Sequence, residues 1–128
     1  KTQVKLIRYY LKKDLVVQAV LLAREWLVSF LIWRLEGQVQ WRERNKRLSI
    51  EKELNCAAAS QRGEKTTLPA WYNNLPESKE ITSIWNKIIG LRNDVAHCAM
   101  NIQTRSASTI RSSIQKIIAR LENLIQDP

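Results

Sequence analysis

The stretch I-T-S-I-W-N-K-I-I-G-L-R-N-D-V-A-H-C-A, residues 81–99, decides the fold. At 3.6 residues per turn each step rotates about 100° around a helix axis. On that wheel Ile81, Ile84, Trp85, Ile88, Leu91, Val95 and Ala99 fall on one stripe, the pattern of a helix with one buried face. Alternation with period two is absent, and only three glycines occur in 128 residues. With 45% hydrophobic residues, the chain reads as an all-α fold, an up-and-down bundle of four to five helices in one domain spanning 1–128. Because the first residue is Lys1 rather than Met, the chain is expected to be the C-terminal part of a longer protein.

The same wheel separates the polar residues of this stretch. Asn93 and His97, four apart and therefore neighbours, lie roughly opposite the apolar stripe. His97 is the only histidine in the chain. Its side chain type, with an unperturbed pKa of about 6.5, is the one suited to moving a proton near neutral pH. Arg92 is turned about 140° from His97 on an ideal helix, toward the edge of the stripe. For both to act on one substrate, either the helix bends near Gly90 or a second copy of the chain completes the site across a two-fold axis. A permanent cation, an amide and an imidazole suit phosphodiester chemistry on RNA, whose ribose 2′-hydroxyl is a built-in nucleophile. Such a reaction needs proton transfer and charge neutralisation and no metal or other cofactor.

The rest of the chain fits around this helix. Val4, Ile7, Tyr10 and Leu11 recur on one face of a short opening helix, and Asp14 is placed to cap the next. Residues 15–35 are the most apolar segment, of the length that spans a membrane. Gln18, Arg24, Glu25, Ser29 and Arg34 interrupt it, and charges at mid-helix are costly in lipid, so it reads as a central helix buried on most sides. Gly37 is placed to end it. A further helix over 38–60 has poor apolar periodicity and is basic through Arg42, Arg44, Lys46 and Arg47. These residues line either a path for RNA phosphates or a solvated face. Residues 61–78 form a loop in which Trp71 and Tyr72 either stack on bases or close the core beneath it, the second being the commoner use. Asn74 and Glu77 resemble a capping box opening the helix that carries His97. Ile110, Ile114, Ile117, Ile118, Leu121, Leu124 and Ile125 make the last helix a packing helix, with Arg105 and Arg111 placed where they could reach a phosphate.

The formal charge of +9 favours a polyanionic partner, of which nucleic acid is the commonest. Cys56 and Cys98 make no disulfide framework and, with a single histidine, no zinc-ligand spacing, so a reducing cytoplasm is expected. The apolar segment is read as core, and no membrane partner is expected.

R-N-D-V-A-H, Arg92 to His97, resembles the R-x(4-6)-H signature of HEPN domains, including the polar residue directly after the arginine. Y-Y-L-K-K-D-L-V-V-Q-A-V-L-L-A-R-E-W-L-V, Tyr9 to Val28, is similar to the opening helical hairpin of the HEPN domains in CRISPR-associated CARF-HEPN ribonucleases of type III systems. The resemblance implies a homodimer whose two motifs form one composite site. It implies metal-independent cutting of single-stranded RNA in antiviral defence, leaving a 2′,3′-cyclic phosphate and a 5′-hydroxyl. It also implies an N-terminal CARF sensor domain in the full-length protein. Carried onto this chain, Arg92 would hold the scissile phosphate, His97 would donate a proton or position the strand, and Asn93 would orient either. Arg105, Arg111, Arg42 and Arg44 are the candidate substrate contacts. Two other readings stay open: a non-catalytic HEPN module that binds RNA, nucleotide or a toxin–antitoxin partner, and a plain helical dimerisation domain.

Overall fold

Five helices make up all the regular structure among the described residues of the computed structural model, which are 2–13, 15–36, 44–99 and 107–126. They are α1 (Thr2–Lys12), α2 (Val16–Glu36), α3 (Arg44–Gln61), α4 (Ser78–Ala99) and α5 (Ala107–Gln126). The all-α expectation holds, at the upper end of the expected helix number. The residues group into two compact units, one of 1–24 with 87–128 and the other of 25–86, the division falling inside α2 and inside α4.

In the first unit α1 packs against α5. The apolar spacing of each sequence explains this: Val4, Ile7 and Leu11 on α1 are buried, as are Ile110, Ile114, Ile117, Ile118, Leu121 and Leu124 on α5. Each such side chain removed from water contributes about 1.5–3 kcal/mol. Arg8 of α1 pairs with Glu122 of α5 at the exposed rim of this contact. After α1 the chain turns with the Leu15 amide donating to the Tyr10 carbonyl at 2.8 Å. The Leu15 carbonyl accepts from Ala19 at 3.0 Å, so Leu15 holds the cap position of α2. The expected cap, Asp14, lies outside the described residues, as does Gly37.

In the second unit α3 buries Ile50, Leu54, Ala57 and Ala58, a stripe at 3.6-residue spacing that includes two alanines. Its end is locked to the first half of α4. The Asn86 amide donates to the Ala58 carbonyl at 3.2 Å and to Gln61 Oε1 at 3.1 Å, and accepts from Arg62 at 2.6 Å. One turn earlier on α3, Asn55 Oδ1 accepts from the Trp85 indole at 2.9 Å. Gly63 closes α3 with φ +93°, its amide bonding to Ser60 O and that of Glu64 to Ala59 O, both at 3.0 Å, a Schellman end. Trp71 is buried, so it closes the core beneath the loop.

Two expectations are corrected here. The helix carrying the motif does not begin with a capping box at Asn74. Glu77 O accepts from Ile81 at 2.8 Å and so takes the cap position, while the Asn74 amide turns back to Ala70 O at 3.2 Å. The Glu77 carboxylate is held instead by Arg34, at 2.7 and 2.9 Å. Nor is α2 buried on most sides, because Val17, Leu21 and Trp33 are 47%, 46% and 48% exposed. Residues 16–35 meet the length and hydropathy of a membrane span, at a mean of 1.6, and 44% of that span is buried.

The two described glycines give opposite expectations. At Gly63 a side chain is strained by the positive φ, so Gly63→Ala should lower stability by about 1–2 kcal/mol. At Gly90, in the exposed middle of α4 with nothing within 4 Å of an added Cβ, Gly90→Ala should raise it by about 0.5–1 kcal/mol. Urea unfolding followed by circular dichroism checks both signs.

Candidate functional site

α4 positions the motif by burying its other face. Ile81, Ile84, Trp85, Ile88 and Leu91 are 0–3% exposed, and the next two residues, Arg92 and Asn93, are exposed. A guanidinium is costly to bury unpaired, so the stripe sends Arg92 outward. Asp94 and Val95 are half-buried, and Asp94 has a partner. The backbone of His97 lies in α4, which is helical without a break from Ser78 to Ala99, whereas the His97 side chain lies outside the described residues. Arg92 and the backbone of His97 thus share one unbroken helical run, five residues apart.

The candidate substrate contacts divide. Arg111 sits half-buried on α5 and has a partner. Arg105 and Arg42 lie outside the described residues, and Arg44 opens α3 with its side chain likewise outside. Arg47, read from sequence as lining either a phosphate path or a solvated face, does neither. Its side chain is 17% exposed and donates to Ser29 Oγ at 2.8 Å, Glu25 O at 3.0 Å and Glu25 Oε2 at 2.6 Å. It ties α3 to the second half of α2. Among the described residues no carboxylate pairs with Arg92.

Charge is divided unevenly, which composition alone does not reveal. The first unit has twelve Lys and Arg against four Asp and Glu, a formal +8, while the second has nine against eight, a formal +1. Nearly the whole excess therefore lies in the unit that carries the motif. Among the described residues no group of three His, Cys, Asp or Glu is placed to hold a metal ion. In comparisons with family models, curated proteins and solved structures, nothing matches the chain.

The two arginines separate a structural from an available cation. Arg47→Ala should cost about 1–2 kcal/mol, reduced by the solvent around Glu25, while Arg92→Ala should stay within about 0.5 kcal/mol of wild type. Thermal unfolding of the two variants checks the contrast.

Proposed function

We propose that the chain is an HEPN-like endoribonuclease domain that cuts single-stranded RNA with Arg92, Asn93 and His97. The observation that carries this reading is an exposed Arg92, paired with no carboxylate among the described residues, beside an exposed Asn93, in the unit holding nearly all of the excess positive charge. The resemblance of Arg92–His97 and of Tyr9–Val28 to HEPN sequences supports it.

In the proposed reaction the ribose 2′-oxygen attacks the adjacent phosphorus and loses its proton, while the P–O5′ bond breaks and O5′ takes up a proton. The products are a 2′,3′-cyclic phosphate and a 5′-hydroxyl. Arg92 neutralises charge gathering on the non-bridging oxygens. His97 carries a proton at one of the two oxygens, and Asn93, one turn before it, orients the ring or the phosphate. On the helix wheel five residues turn through about 140°, so in this reading the site is completed by a second copy, Arg92 of one protomer and His97 of its partner serving the same phosphate. In a longer protein a CARF sensor domain would precede this effector, acting in the cytoplasm.

Incubation of end-labelled single-stranded RNA in excess EDTA tests the assignment. Wild type is expected to cut, and His97→Ala and Arg92→Ala each to lose at least about 100-fold in rate with helical content unchanged. Binding without cutting by wild type would leave the non-catalytic module instead.

A further inference from the structure

We infer that the outward face of α1 is a docking surface for single-stranded RNA. This deepens the ribonuclease reading, on which it rests for the nature of the strand, by placing substrate contacts on a helix that contributes nothing to the motif.

The inner stripe of α1, Val4, Ile7 and Leu11, is consumed in packing. What remains is an exposed face of Lys5, Leu6, Tyr9, Lys12 and Lys13, all within an arc of about 120° on the helix wheel. The helix contains no acidic residue. The one acidic side chain reaching it from α5, Glu122, is matched by Arg8. Lys5, Lys12 and Lys13 thus add to a field already set by the +8 of their unit.

Tyr9 lies among these cations with 52% of its surface in solvent. Its ring is 6.0 Å from that of Tyr10, tilted by 58°, and the Lys13 ammonium stands 5.8 Å from its centroid. An aromatic ring held between cations is the arrangement with which single-strand binders stack one base while tracking the backbone. A duplex keeps its bases stacked on one another and cannot use such a ring. A membrane surface fits less well, because a helix lying in lipid inserts its continuous apolar face, and that of α1 is already buried.

The test uses the 128-residue chain carrying His97→Ala, so that RNA is bound without being cut, and a fluorescein-labelled uridine strand of about 12 nucleotides read by anisotropy. Lys5→Gln with Lys12→Gln should weaken binding and reduce the slope of log affinity against log salt by about 1.4, near 0.7 for each phosphate left without its lysine. Tyr9→Ala should weaken binding about 5- to 150-fold with the slope unchanged, and Tyr9→Phe should bind like the parent. Circular dichroism confirms that each variant keeps its helices.

No RNA binding by the parent, unaltered affinity in both the lysine and Tyr9→Ala variants, or an equal loss in Tyr9→Phe overturns the inference. So does tighter binding to phosphatidylserine vesicles or to duplex RNA than to the single strand. The two proposals fail separately. RNA cut in a His97-dependent way while the α1 variants stay silent removes only this surface. The expected α1 pattern without any cutting removes only the nuclease.

Discussion

The burial of the stripe from Ile81 to Leu91 fixes the rotation of α4 about its own axis, and the reading of the site depends on that rotation. Five large apolar side chains at about 1.5–3 kcal/mol each outweigh any preference of a single polar residue. The Trp85 indole, bonded to Asn55, pins the same rotation from the side of α3. With that face committed, Arg92 and Asn93 have their direction set for them. Both meet water because they lie off the buried stripe.

The distribution of charge gives the exposed face its meaning. A formal +9 spread evenly would be a solvated surface like many others. Confined almost wholly to the unit formed by α1, the first part of α2, the last part of α4 and α5, it produces a local field for a polyanion. The second unit uses internally those arginines whose side chains are described. Arg34 holds Glu77 at the entrance to α4, Arg47 holds Glu25 and Ser29, and Arg62 holds Glu64 and Asn86. Of the cations whose place in sequence suggested a path for phosphates, Arg47 is accounted for by these pairings.

Much of the fold was legible in the chain because isoleucine and leucine recur at helical spacing. The stripes of α1, α4 and α5 were visible residue by residue, as was the all-helical class. The stripe of α3 was hidden because Ala57 and Ala58 supply half of it, and alanine marks no face by its hydrophobicity. The exposed side of α2 was hidden for the opposite reason, since a helix apolar all round does not declare which side meets water. The cap at Asn74 was misplaced because a turn over residues 69–75 takes up its amide, a tertiary choice that a four-residue pattern cannot contain. Of the site, Arg92, placed by the wheel at the edge of the stripe, is exposed, whereas the outward direction of Asn93 followed from the wheel. The structural duty of Arg47 did not, because its partners stand eighteen or more positions away.

The most direct measurement of the central claim is mass spectrometry of the ends left on a defined single-stranded RNA after incubation with the chain in excess EDTA. The expected ends are 2′,3′-cyclic phosphates and 5′-hydroxyls that disappear when His97 is replaced by alanine. Ends carrying 3′-hydroxyl and 5′-phosphate, or cyclic phosphates formed equally by the His97→Ala chain, would contradict it.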